Sequence, residues 1–493
     1  MGASRAVLSI LVMDRHEESA ALPGPTSPPL RRPACRLPVL GLALSLSAPL
    51  AAGSPARSAP PPGFIDLVIS NGLEVTIAPD SSLPIVSTRV WYHVGAANET
   101  RSTRGFAHLF EHLMFSGTPT HEKGAWEAHH HRFGGIENAQ TSWDETTYES
   151  DIPPAGFPEV LAMEADRMVN LRLDAAALEN EKKIVTEELR ATIENDPYDR
   201  MLTAALKSLC GDHPYAVTPL GTKEDLAAAT LEQARAFYAR YYKPRNAHLV
   251  IVGPVDGPAT LAEVERTFGA IPAGGETPPD VPSLWGWKFP ERIRLEEDLP
   301  PAKIAVLVHP LPPPDSEDDV ALGVMEEILA SSQVNPFREE LVRSRRQALE
   351  AGAQVLGLRR GGVLCFYSAV LPYRREGGQF DAMKESMQRL RRLEWLTDAR
   401  LAGARRKMLR AIDQRRYRAG DLADALAQER WWRGDATLAF TRADRLAAIS
   451  RADLARVFDR YVANARPVAV YIQPEKVPVM LQLFGWLLPL VMR

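Results

Sequence analysis

Leu226-Ala-Ala-Ala-Thr-Leu-Glu-Gln-Ala-Arg-Ala-Phe-Tyr-Ala-Arg-Tyr-Tyr242 recurs in diverged form as Leu446-Ala-Ala-Ile-Ser-Arg-Ala-Asp-Leu-Ala-Arg-Val-Phe-Asp-Arg-Tyr-Val462. The two stretches lie 220 residues apart and align without a gap. Each carries a hydroxyl residue where a helix N-cap belongs, Thr230 and Ser450, and then a helical run. Each leads to an apolar strand, His248–Pro254 in one copy and Val468–Pro474 in the other. Arg240 pairs with Arg460, Tyr241 with Tyr461 and Pro254 with Pro474. One helix–strand unit written twice predicts an α+β fold of two homologous domains, each about 220 residues long.

Outward from the repeat, the first domain is expected over 64–270 and the second over 285–476. Between them, 271–284 holds the Pro/Gly-rich run Ile271-Pro-Ala-Gly-Gly-Glu-Thr-Pro-Pro-Asp-Val-Pro282 and reads as a linker.

The chemistry concentrates in the first copy. Gly105-Phe-Ala-His-Leu-Phe-Glu-His-Leu-Met-Phe115 places His108, Glu111 and His112 on one face of a helix. Two neutral imidazoles so placed suit Zn²⁺, and Glu111 beside them is a base for water at an open coordination position. The motif is H-x-x-E-H, the reverse of H-E-x-x-H. A catalytic zinc needs a third protein ligand, usually from another element. The helical stretch Glu179-Asn-Glu-Lys-Lys-Ile-Val-Thr-Glu-Glu-Leu-Arg190 offers Glu181 and Glu188, two turns apart on one face. One of the pair ligates and the other supports the site by hydrogen bonding; spacing alone does not say which. In the second copy the 220-residue offset puts the metal helix near Glu327–Asn335, which has no histidine.

These motifs resemble the pitrilysin/insulinase family of zinc peptidases, and within it the bacterial relatives of mitochondrial processing peptidase. In that family a ligand Glu follows the H-x-x-E-H helix by about 76 residues, within E-x-x-V-V-x-E-E; here Glu188 stands 76 positions beyond His112. The resemblance implies His108, His112 and Glu188 as ligands of one Zn²⁺, Glu111 as catalytic base and Glu181 as supporting carboxylate, with Glu187 turned elsewhere. Gly134-Gly-Ile-Glu-Asn-Ala-Gln-Thr-Ser-Trp-Asp-Glu-Thr-Thr-Tyr148 looks like the family's substrate strand. It would bind an extended peptide by edge pairing, with Asn138 and Ala139 as contacts. Glu164–Met168, His213-Pro-Tyr215 and Gly221–Leu226 also match.

By the same resemblance the two domains form half of a clamshell that admits peptides or unfolded protein segments. The alternative is a non-hydrolytic, zinc- or peptide-binding subunit. The family draws oxyanion donors partly from an Arg and a Tyr in a second-copy domain. Around Leu341–Glu350 this chain has Arg343, Arg345 and Arg346 but no Tyr. A homologous zinc-less partner subunit, or a homodimer, is therefore expected to complete the machinery.

Residues 1–53 read as an N-terminal extension ending in a signal peptide: basic Arg31-Arg-Pro-Ala-Cys-Arg36, an apolar run from Leu37 to Ala52, then small residues. That predicts export, in a bacterium to the periplasm. The apolar tail 477–493 is too short and proline-broken to span a bilayer. Packing on the body, contact with a membrane surface and partner binding all remain open for it. With 58 basic and 62 acidic residues and a net charge of −4, no basic stripe points to nucleic acid. Cys210 and Cys365 read as two free thiols in different domains, and His129-His130-His131 as a solvated helix end.

Overall fold

The computed structural model describes residues 59–274, 279–330, 335–415 and 417–477. The signal-like extension and nearly all of the apolar tail lie outside them. Eleven strands among the described residues form two mixed sheets. The first contains β1 (Ile65–Val68), β2 (Glu74–Pro79), β3 (Val86–Tyr92), β4 (Ile136–Thr141), β5 (Thr146–Ile152) and β6 (Ala247–Gly253). The second contains β7 (Arg292–Glu297), β8 (Lys303–Leu311), β9 (Glu350–Leu358), β10 (Gly361–Val370) and β11 (Val468–Pro474).

Their orders are β1-β2-β6-β3-β5-β4 and β7-β11-β8-β10-β9. Strand for strand, β2-β6-β3-β5-β4 matches β7-β11-β8-β10-β9. The directions match too: β2 runs parallel to β6 as β7 does to β11, and the remaining shared pairs are antiparallel. The duplication is thus a real structural repeat, with β1 added to the first copy.

The helices needed below are α1 (Phe106–Leu113), α2 (Ala125–Phe133), α3 (Phe157–Asn170), α4 (Ala175–Leu189), α5 (Pro197–Cys210), α6 (Leu231–Tyr241), α7 (Asp319–Leu329), α8 (Asp398–Arg415), α9 (Ala419–Arg433) and α10 (Arg451–Phe458). α6 and α10 are the helices of the opening repeat. Thr230 and Ser450 cap them as read, each accepting from the backbone N–H three residues on. The symmetry extends to single contacts. Tyr241 donates its hydroxyl to the Asn98 carbonyl, and Tyr461 donates to the carboxylate of Asp318. Asn98 and Asp318 are themselves 220 residues apart.

Each sheet carries helices of its own copy on one face and a borrowed helix on the other. α9, from the second copy, packs over β3 and β6. Its Ala423, Leu426 and Ala427 fill against Trp91, Val250 and Val252. The alanines let helix and sheet approach closely, and the all-buried, apolar β6 is what a strand covered on both faces requires. α5, from the first copy, packs reciprocally on the second sheet, with Met201, Leu206 and Leu209 against Ile293, Val308 and Ile472. Gly420 in α9 leaves room for the Arg89 guanidinium, which binds Asp424 of the same helix at 2.8 Å and Asp151 at 2.9 Å.

Two sequence expectations change here. The helix equivalent to α1 is α7, which packs on α8 as α1 packs on α4. It begins upstream of Glu327 because residues 93–105 join β3 to α1, whereas only residues 312–318 join β8 to α7. α7 also lacks histidine. In α2, His131 is exposed but His130 is not solvated: it is 3 % exposed, with Nδ1 at 2.8 Å from the Trp126 carbonyl and Nε2 at 2.5 Å from Ser150 Oγ. The helix end lies against β5, and that contact buries the middle ring. Within the expected linker, Val281 and Leu284 are buried in the core that α5 shares with the second sheet. Both Cys210 and Cys365 are free, and burial pushes each thiol up to about 12.

Candidate metal centre

α1 enters the site anchored at its N-terminus and at mid-helix. Its N-cap is Gly105, in the left-handed region at φ 80°. The capping group comes from farther back: the Glu99 carboxyl accepts from the Gly105 and Ala107 N–H groups, each at 2.8 Å, while burial pushes its pKa up to about 8. A carboxyl there satisfies orphan donors of the first helical turn. In mid-helix the Tyr148 hydroxyl donates to the Phe110 carbonyl at 2.8 Å, tying α1 to β5. Behind it, the buried Arg167 pairs with Glu164 and lies over the Tyr148 ring at 4.4 Å.

On the opposite face of α1 the histidines meet α4. His108 Nε2 and His112 Nε2 lie 3.6 and 3.3 Å from the same oxygen, Glu188 Oε2. These three residues are the only group of metal-binding type among the described residues. Two donors held roughly 2.0–2.1 Å from a tetrahedral zinc stand about 3.3 Å from each other, so the set fits Zn²⁺. Two nitrogens and one carboxylate oxygen also suit its borderline softness.

Glu181 faces the other ring nitrogen of His112, Oε2 to Nδ1, at 3.9 Å. Its Oε1 receives Lys123 Nζ at 2.7 Å and Asn180 Nδ2 at 2.9 Å. The geometry thus separates the two glutamates that spacing left open, with Glu188 toward both histidines and Glu181 behind one. Glu187 points outward and pairs with Arg190.

Electrostatics follow from this crowding. Burial lowers the His108 pKa, against the pull of Glu111 and Glu188, and so favours the neutral, ligating ring. His112 is also depressed by burial. The Glu188 hydrogen bond and the Glu111, Glu188 and Glu181 charges outweigh that effect and raise it. Glu188 is lowered by the hydrogen bond from His112, with burial opposing. Carboxylates dominate the cluster, as a site for a dication requires.

Glu111 lines two cavities that meet at β4. One, shared with His108 and Glu188, is walled mainly by Trp143, Ile193, Leu202 and Leu206; the other contains Asn138, Ala139 and Lys123. Among the described strands β4 is an edge with only β5 beside it, which leaves its outer backbone groups available for pairing. Asn138 is exposed on that edge and Ala139 is buried.

Sequence reasoning assigned no role to Glu99, Lys123, Asp144 or Tyr215. Tyr215, from the His-Pro-Tyr motif, donates to Asp144 at 2.6 Å and accepts from the Arg360 N–H at 3.0 Å. Asp144 also accepts from the Arg359 N–H at 3.0 Å. The motif residues therefore clasp the β9–β10 turn of the second copy. A signal existed for Glu99, an acid shortly before a helix start, but its backbone targets lie six and eight residues away.

Two α+β units of matching strand order, the first carrying a His-His-Glu cluster beside a sheet edge, make up the described chain. The chain matches the model for insulinase, peptidase family M16, over residues 75–217, and that for the M16 inactive domain over 228–408. It belongs to the M16 (insulinase) family. The zinc protease PqqE of Helicobacter pylori is 28 % identical over 357 residues, 71 % of this chain and 78 % of that one. A protease from Helicobacter pylori superposes with a TM-score of 0.74 at 24 % identity, covering 83 % of this chain and 99 % of the other. The periplasmic protease PqqL of Escherichia coli gives 0.66 at 21 %, covering 85 % of this chain but only 48 % of that one.

Proposed function

We propose that this chain is a zinc-dependent endopeptidase acting on peptides or unfolded protein segments. The observation that carries the reading is the convergence of His108, His112 and Glu188 beside Glu111, against an unpaired sheet edge. Bound by the two imidazoles and Glu188, Zn²⁺ would supply Lewis acidity to the scissile carbonyl and acidify a water. Glu111 takes the proton of the attacking water on its carboxylate and delivers it to the leaving amine nitrogen. Glu181, backed by Lys123, holds the His112 ring in orientation. The β4 backbone, with Asn138 and Ala139, aligns an extended substrate by main-chain pairing; a folded domain offers no free strand.

The M16 match, and the zinc-protease relative, support this over a purely binding role, because all four chemical residues are present. Export to the periplasm is part of the proposal, supported by the signal-like segment and by the periplasmic PqqL. So is a partner. The chain spans about half of PqqL, which favours closure of a clamshell with a homologous zinc-less subunit or a second copy.

The test is cleavage of a quenched, unstructured peptide by the purified chain, alone and mixed with a candidate partner. Turnover should vanish with a chelator and return with Zn²⁺, and folded globular proteins should survive. Chelator-insensitive cleavage would overturn the zinc reading. Full activity in a lone monomer, established by light scattering, would overturn the partner.

A further inference from the structure

The turn that ends β4 is Ser142-Trp143-Asp144-Glu145. It shapes the metal site directly, because Gln140, Thr141 and Trp143 wall the cavity they share with His108, Glu111 and Glu188. First-copy backbone seats it. Ala96 and Ala97 donate their N–H groups to the Ser142 and Trp143 carbonyls at 3.2 and 2.9 Å. Trp143 Nε1 donates to the Val217 carbonyl at 2.6 Å. A Cβ on Gly95 would stand 2.5 Å from the Trp143 carbonyl, so a side chain there would push the turn away.

The remaining restraint comes from the second copy. Asp144 is buried, with Oδ1 accepting from the Tyr215 hydroxyl and Oδ2 from the Arg359 N–H. Tyr215, fully buried, accepts from the Arg360 N–H. Both second-copy donors are backbone groups, so they follow the second sheet rather than a rotatable side chain. Their own turn is fixed in place. The Arg360 carbonyl accepts from the Leu284 N–H at 2.7 Å, and the Arg359 and Arg360 guanidinium groups hold Asp280 at 3.0 and 3.2 Å. Arg359 also lies 3.8 Å over the ring of Trp431 in α9, which stacks on His93, the residue after β3.

An edge strand with a neighbour on one side is free to shift at its end, and ordering it on binding costs affinity; fixing it beforehand removes that cost. We propose that Asp144 and Tyr215 are positioning residues for substrate, through which the β9–β10 turn of the second copy fixes the end of β4 and the Trp143 wall. Both stand outside the metal cavity, so their effect falls on how a peptide is held and not on the zinc ligands. The second copy, which has no histidine in α7, thereby aligns the chain that the first copy cuts.

This assignment rests on the peptidase reading, and the experiment separates the two. Tyr215→Phe removes one hydroxyl and keeps the ring. Asp144→Ala removes the carboxyl, while Asp144→Asn keeps an acceptor for the Arg359 N–H and can donate to the Tyr215 oxygen. With a quenched, unstructured peptide, Tyr215→Phe and Asp144→Ala should raise KM about tenfold, the scale of one or two lost hydrogen bonds, with kcat and zinc content within about twofold. Asp144→Asn should recover most of the loss. Residues that served only the fold would lower the active fraction, so kcat and zinc content would fall together at unmoved KM. That pattern, or KM unmoved in every variant, overturns the assignment and leaves the peptidase standing. Should Asp144→Ala fail to fold, Tyr215→Phe and Asp144→Asn decide. Absence of all cleavage by the unaltered chain counts against the peptidase. Anisotropy of a labelled peptide on Glu111→Gln then tests the clasp: weaker binding after Tyr215→Phe supports it, and unchanged or absent binding overturns it.

Discussion

Glu327 and Lys407 meet at 2.8 Å across α7 and α8, the helix pair that corresponds to α1 and α4, where His112 and Glu188 face each other. The second copy fastens the same two helices with an ion pair. The lysine is 59 % exposed, and such a pair is worth about 0–1 kcal/mol. A metal bound only to the folded state stabilises by about 4 kcal/mol when free metal exceeds Kd a thousandfold. Calorimetry should therefore find that chelation lowers Tm by several degrees, while Lys407→Met moves it by no more than about two. Equal effects would mean that the metal contributes no more to the fold than a surface pair.

The roles of the four chemical residues separate by metal analysis. His108→Ala and Glu188→Ala should lose most of the bound zinc, since each removes one of three protein ligands. Glu111→Gln should stay loaded with one zinc per chain while kcat falls by about 10²–10⁴, the usual contribution of a general base. An empty Glu111→Gln with a full Glu188→Ala would reverse the assignments.

Glu181→Gln should retain the fold but weaken zinc binding by about 10- to 100-fold, because it keeps the shape of the side chain and loses the charge facing His112 Nδ1. Lys123→Met should weaken binding less, a few-fold, since its ammonium is 58 % exposed. Competition with a chromophoric chelator measures both. Unchanged affinity in Glu181→Gln would reduce that residue to a packing role.

Acid stability should depend on Asp166. Burial by itself would raise this carboxyl, but hydrogen bonds from Thr118, Thr120, Asn170 and His121 outweigh it and hold the pKa down to about 2. The unfolded value is about 3.9. A depressed pKa means that the contribution is complete above pH about 4 and is lost as pH falls toward 2. With solvent screening it is on the order of 1 kcal/mol. Denaturant titrations should show Asp166→Asn less stable at neutrality and flatter between pH 4 and 2; an unchanged slope would count against it.

The sequence made the duplication legible because its repeat sits in elements buried the same way in both copies: α6 and α10 with their caps, β6 and β11 with their apolar runs. The cluster of His108, Glu111 and His112 was legible because i, i+3 and i+4 spacing on a helix is a geometric statement by itself. Spacing alone could not choose between Glu181 and Glu188, since seven residues put both on one face; the family resemblance chose Glu188, and packing against α1 turns that residue toward both histidines. His130 was misread because α2 alone shows three adjacent rings, and burial of the middle one depends on β5. The claims of α5 and α9 on each other's sheets were invisible, because periodicity shows that a helix has an apolar face but not which sheet receives it.

That exchange recasts the chain's history and its assembly. Two copies, each completed by the other's helix, have the geometry of a domain-swapped dimer whose subunits were later fused end to end. Each copy relies on the other to cover one face of its sheet. Expressed alone, the first would bare Trp91, Val250 and Val252, which α9 covers. A protease nick in 271–284 would leave the fragments entwined rather than free.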